Sequence, residues 1–215
     1  MTRRVMCAAV IGLIATLPLG SISAQTSGEF WPELDVYWNV TSRYRLFSLT
    51  RLLYRSPESQ SRVQYGLHLD DMGLFRNGFV RVGYRFIPTF KDPANAENRG
   101  IVEATVHGRG ATRFVNRVRS DLRYLDDEFS VRLRDRVRIE HQVRVSGRVI
   151  FLPYTTAEAF YDSRYGGLAR MRYQAGSEMH PTKNVGVDLL YVRQDNYRST
   201  RSAVNAFMAK LMLTF

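Results

Sequence analysis

Hydrophobic and polar residues alternate along most of this chain, most plainly from Phe129 to His141, F-S-V-R-L-R-D-R-V-R-I-E-H. Arg132, Arg134, Arg136, Arg138 and Glu140 fall on one parity, and Val131, Leu133, Val137 and Ile139 on the other. A period of two predicts a β-strand, because successive side chains leave the pleat on opposite faces. The same alternation sets Val80, Val82, Tyr84 and Phe86 against Arg81, Gly83 and Arg85. Eleven strands follow from it, near 33–41, 43–55, 61–69, 79–88, 100–108, 113–125, 129–143, 148–162, 168–179, 184–195 and 202–215. Most exceed the roughly five or six residues of a globular strand and suit the roughly nine to eleven of a tilted membrane strand. No helical period survives after residue 30, and no linker divides the chain.

The connections come in two kinds. Short turns are expected near Thr41-Ser42, Gly108–Gly110, Ser146-Gly147 and 181–184, and longer polar links at 56–61, 88–99, 162–167 and 195–202. Outer-membrane barrels show this asymmetry between periplasmic turns and external loops. Two links depart from it: 70–78 is long where a turn is due, and 125–128 is short where a loop is due. Eleven strands also put the start of the first strand outside and the end of the last in the periplasm, whereas bacterial barrels normally have even strand numbers. A missed strand, a threaded segment 25–32, or a parallel pairing of first and last strands would resolve this, and twelve strands is the expectation carried forward. Asn116 and Asp135 share an Asn/Asp-Arg-Val-Arg core and fall on the apolar parity. A β-bulge at each would re-aim them.

Alternation alone does not say which face is wet. Three features favour an apolar exterior. Phe215 closes a last strand in which Phe207, Ala209, Leu211 and Leu213 share its parity, like the assembly signal of outer-membrane barrels. Aromatic residues gather towards strand ends (Trp31, Trp38, Tyr44, Tyr54, Tyr124, Phe160, Tyr161, Tyr191), as interfacial girdles do. The arginine parity also carries Asp121, Glu140, Glu158 and Glu178, which suits a narrow lumen where each arginine needs a partner. The opposite assignment is a soluble barrel with a charged outer face.

Composition adds the route of export. Arg3 and Arg4, the apolar run from Val5 to Leu19 and the small residues at 21–24 predict a signal peptide over 1–24. The only cysteine, Cys7, lies within it, so the mature chain 25–215 has no disulfide, thiolate nucleophile or cysteine metal site. No later stretch reaches the roughly 18 apolar residues of a membrane helix. The net charge of +11 would suggest nucleic acid in a cytoplasmic protein, but export removes that partner. The cations are almost all arginine, the better choice for fixed, bidentate pairing with carboxylates.

Phe30–Val36, the arginine strand, Pro153-Tyr154 with Glu158–Asp162, Arg172–Gly176 with Glu178, and Arg193-Gln194-Asp195 form a recognisable set. Together these segments resemble the domain of unknown function 2490 family. The likeness covers nearly all the mature chain. It implies an exported outer-membrane barrel and carries no catalytic residues with it.

The main constellation is the arginine ladder. Arg117, Arg119, Arg123, Arg132, Arg134, Arg136 and Arg138, with Arg170 and Arg172, are expected to line a lumen together with Glu140, Glu158 and Glu178. Tied to the carboxylates, they fill a closed barrel, since small barrels are only just wide enough for side chains. Left free, they make an anion-preferring path for anionic solutes or glycans, because charge rings set selectivity in pores. A third alternative is an outer-membrane acyl hydrolase with His68, His107, His141 or His180 as base, although no Ser-His-carboxylate spacing stands out. Asp126-Asp127-Glu128 is read as a solvated turn with at most weak affinity for a divalent ion or lipopolysaccharide. The expectation is therefore an all-β chain: a signal peptide followed by a single antiparallel transmembrane β-barrel of ten to twelve strands in the cell outer membrane. It needs no metal or cofactor and is not an enzyme. Its partners are outer-membrane lipid and lipopolysaccharide, and the barrel assembly machinery reading Phe215.

Overall fold

A computed structural model describes residues 27–55, 62–88, 96–125, 128–198 and 202–215. The signal-peptide segment, Asp126-Asp127 and most of the links at 56–61, 88–99 and 195–202 lie outside the described residues. Eleven long strands follow one another: β1 (Ser27–Asn39), β2 (Tyr44–Arg55), β3 (Arg62–Asp71), β4 (Gly78–Ile87), β5 (Glu97–His107), β6 (Thr112–Leu125), β7 (Glu128–His141), β9 (Arg148–Asp162), β10 (Gly167–Met179), β11 (Val185–Asn196) and β12 (Ala203–Thr214). The three-residue β8 (Val143–Val145) prolongs β7 and pairs with β9. Each strand pairs antiparallel with its neighbour in sequence, β9 with both β7 and β10. The sheet closes where β1 meets β12, and that pair is parallel, with Ser27 opposite Val204 and Tyr37 opposite Thr214.

The barrel thus has eleven staves. The expected twelfth strand is absent among the described residues, and the all-antiparallel reading is corrected at one seam. The physical reason is the odd count: strands that reverse at every turn leave β1 and β12 running the same way. Sequence periodicity also placed the start of β1 six residues late. Pro32 lacks an N–H, and the ladder with β2 skips Trp31 and Pro32 between Phe30 and Glu33.

The short turns 40–43, 108–111, 146–147 and 180–184, with 72–77 and Phe215, gather at one end, here the turn end. Ser27, Arg55, Arg62, Ile87, Glu97, Leu125, Glu128, the turn 163–166, Asn196 and Ala203 lie at the other, the loop end. No bulge re-aims Asn116 or Asp135, because β6 and β7 stay in register throughout. Both face outward, and Asn116 Nδ2 donates to Asp135 Oδ1 at 2.8 Å. Register shifts occur elsewhere, between Leu168 and Arg170 and between Val143 and Arg144.

The two faces are sorted by polarity. Leu67, Val82, Val118, Leu133, Val137 and Ile139 are exposed on the outer wall. Aromatics form a belt at each end of it: Phe30, Tyr54, Phe86, Tyr124, Phe129 and Tyr161 at the loop end, and Trp38, Tyr44, Phe75, Phe114, Phe151 and Phe215 at the turn end. Trp31 and Phe160, expected in these girdles, are instead buried inside. The interior combines charged layers with one apolar cluster of Trp31, Tyr154, Leu190, Val192, Val204, Ala206 and Met208.

Candidate functional site

The interior is the candidate site, and strict alternation builds it. On β7 the arginine parity points inward while Leu133, Val137 and Ile139 point out. Carboxylates on neighbouring strands meet these arginines, since side chains opposite one another across a ladder stand about 5 Å apart.

Ion pairs plug the loop end. Asp162 takes Arg132 at 2.6 Å and Arg123 at 2.9 Å, and Arg123 also pairs with Glu97, which holds Arg99 at 2.7 Å. One level down, Asp121 pairs with Arg119 and faces Arg134 at 3.6 Å. Asp121 and Asp162 are wholly buried. Arg134 continues to Glu158 at 2.8 Å and stacks on Phe160, as do Arg170 and Arg172. The inward aim of Arg170 depends on the bulge, since Ala169 is the extra residue between Leu168 and Arg170 in the pairing with β9.

Below this plug lies a cavity of about 420 Å³ that reaches the turn end at Met72, Phe79 and Arg113. Twelve Arg and Lys side chains line it against seven carboxylates, so its field favours anions. Glu158 is the hub of one wall, paired with Arg117 and Arg134 and 4.0 Å from Arg172. Arg138 bridges Glu140 and Glu178 (2.6 Å to the latter) with its guanidinium over the Tyr154 ring. Glu140 also takes Arg113. Arg172 donates to Gln194 at 2.6 Å. Among the described residues no carboxylate lies within ion-pair distance of Arg136, and its Nε has no hydrogen-bond partner. Ten of the twelve lumenal residues singled out from sequence therefore sit in ion pairs, Arg170 stacks on an aromatic ring, and Arg136 alone is unmatched.

The opposite wall was missed. Lys210 reaches Glu33 at 3.2 Å, Asp35 at 3.7 Å and Asp188 at 3.9 Å, and the Tyr154 hydroxyl donates to Asp188 at 2.9 Å. Parity carried the signal: Glu33 and Asp35 alternate with Leu34 and Val36, and Lys210 lies between the outward Ala209 and Leu211. Asp70, which holds both Arg45 (2.7 Å) and Arg81 (2.6 Å), was overlooked in the same way.

Among the described residues the histidines are placed as follows. His68 is buried, stacks on Phe47 and occupies space left by Gly83, where a Cβ would stand 2.2 Å from its Nδ1. Glycine there makes room for the imidazole, a packing role. His141 Nδ1 meets Thr112 Oγ1 at 2.6 Å on the exposed turn end. His180, in a turn, lies 3.7 Å from Glu178, and interaction with that carboxylate holds its pKa above the usual imidazole value.

An eleven-stranded barrel with an apolar, aromatic-belted exterior and an ion-paired interior defines the class of this protein. The chain belongs to the family described as "Protein of unknown function (DUF2490)", whose model matches residues 22–205. No curated protein and no solved structure matches the chain.

Proposed function

We propose that this is an outer-membrane β-barrel with a plugged lumen and an envelope-associated, non-enzymatic role. The observation that carries the reading is the sorting of the wall: apolar side chains outward across mid-height, aromatics at both ends, charges inward. Water would not select two aromatic belts around an apolar band, whereas the two interfaces of a bilayer do. The turn end then faces the periplasm and the loop end the outside. Lipid and lipopolysaccharide contact the wall, and the assembly machinery reads the last strand.

Single cysteines test this in the leader-free chain, which has none of its own. Val137→Cys and Ile139→Cys should react with a lipid-soluble probe, and Arg134→Cys should be screened from it. The protein should fractionate with outer membranes and migrate differently before and after boiling. Recovery in soluble periplasm, with Val137→Cys open to aqueous reagents, would overturn the reading. The excess of cations around the cavity favours a second reading, a small anion-preferring channel. That reading requires the loop-end plug to open.

A further inference from the structure

One tier of the lumen carries donors that nothing in the barrel uses. Thr105, Arg117 and Arg136 are direct cross-strand partners on β5, β6 and β7, and all three point into the cavity. Thr105 Oγ1, Arg117 Nε and Arg136 Nε are each buried without a hydrogen-bond partner. Two guanidiniums directly opposite on adjacent strands repel one another unless an anion lies between them. Glu158, the partner of Arg136 across the β7–β9 ladder, offsets part of this charge, but its contacts go to Arg117 Nη2 and Arg134, and it makes no ion pair with Arg136. Glu103 faces the tier from the next level, 3.6 Å from Arg117 and 3.9 Å from Arg119. It offsets part of the charge without reaching Arg136.

We propose that Thr105, Arg117 and Arg136 form a binding site for the phosphate group of a small solute entering the cavity from the turn end. A hydroxyl and two guanidinium N–H groups on three adjacent strands suit several oxygens of one tetrahedral anion, and charge-assisted donors bind such oxygens most strongly. Arginine's planar fork holds phosphate in fixed geometry, which a lysine in its place would not. The plug above the site makes it a dead-end receptor, so solute is held there and not passed through. The site depends on the lumen alone, and it stands or falls separately from the membrane assignment.

The test is calorimetric titration of the full mature chain, folded in detergent, with inorganic phosphate, glucose 6-phosphate and glucose. Saturable binding of phosphate with none of glucose is expected. Tighter binding of the ester would identify phosphorylated solutes as the ligand, and tighter binding of inorganic phosphate would identify the free ion. Arg136→Met should weaken binding by roughly tenfold or more, a loss that separates a ligand contact from background. It should leave the thermal midpoint unchanged or raised, because it removes a buried cation that makes no ion pair within the described barrel. Arg136→Lys should restore only part of the affinity. Thr105→Val, nearly isosteric, carries the same expectation if the Arg136 variants fail to fold. Absence of saturable phosphate binding, or equal affinity in wild type and Thr105→Val, would overturn the proposal.

Discussion

At the scale of single residues, the interior is governed by how many partners each charge has. Glu158 is almost fully buried and serves Arg117 and Arg134 directly. Glu158→Ala should destabilise the barrel by roughly 3–5 kcal/mol in urea unfolding, the cost of leaving buried charge uncompensated. Glu158→Gln, which keeps an acceptor, should cost less. Asp71→Ala, which breaks an exposed bidentate pair with Arg43, should be indistinguishable from wild type by the same measurement. The inward aim of these arginines was legible from parity, but their partners were not. Parity names a face, while pairing depends on which strand lies alongside and in what register. Asn116 and Asp135 show the opposite case, where parity was right and the expected bulge was not needed. Their mutual hydrogen bond satisfies an amide donor and a carboxylate oxygen on the outer wall, a solution that requires knowing the two strands are adjacent. Trp31 and Phe160 were assigned to the girdles because aromatics near strand ends suggest an interface. Their parity with Glu33 and Glu158 already put them inside, where Trp31 donates to Glu29 at 2.8 Å.

At the scale of elements, the strands were legible because period-two sorting is local, and the seam was not because closure is not. The parallel β1–β12 pair sets Leu34 beside Leu211, both outward. Neighbouring strands lie about 4.8 Å apart, within disulfide reach, whereas an intervening twelfth strand would double the gap. Leu34→Cys with Leu211→Cys should therefore cross-link on mild oxidation and shift migration on a non-reducing gel. Leu34→Cys with Leu189→Cys, two strands apart, should not. Phe215 belongs to this seam as well as to the C-terminus. Its N–H donates to Tyr37 O at 2.8 Å, its carbonyl accepts from Asn39 N at 2.9 Å, and its ring is 64% exposed on the outside. Deleting the residue would therefore confound seam pairing with the proposed recognition by the assembly machinery. Phe215→Ala keeps the backbone bonds. If the ring is the recognised feature, folded outer-membrane yield should fall in this variant while refolding of the purified chain in detergent is unaffected.

At the scale of the whole molecule, strand number decides how far side chains can fill the interior. Barrels of about 8 strands are just filled by side chains, and those of about 16–18 leave an aqueous channel. Eleven staves fall between, and this chain fills the difference with arginine, tyrosine and tryptophan, the longest inward residues available. What remains is the cavity of about 420 Å³ at the turn end, stopped by the Asp121–Arg119 and Asp162–Arg123–Glu97 pairs. Wild-type protein in planar bilayers should therefore show no steady conductance, because ions would have to displace wholly buried carboxylates from their arginines. Asp162→Asn combined with Asp121→Asn removes the anions that hold the plug and leaves its guanidiniums repelling one another. That double variant should open intermittently, with anions carrying the current, since the cations lining the path would then be less neutralised. The measurement is the reversal potential across a chloride gradient, made on wild type and double variant from the same preparation. A steady anion-selective wild-type conductance would replace the plugged barrel with the channel reading. Cation-selective current in the double variant would mean that the arginine tier does not line the path.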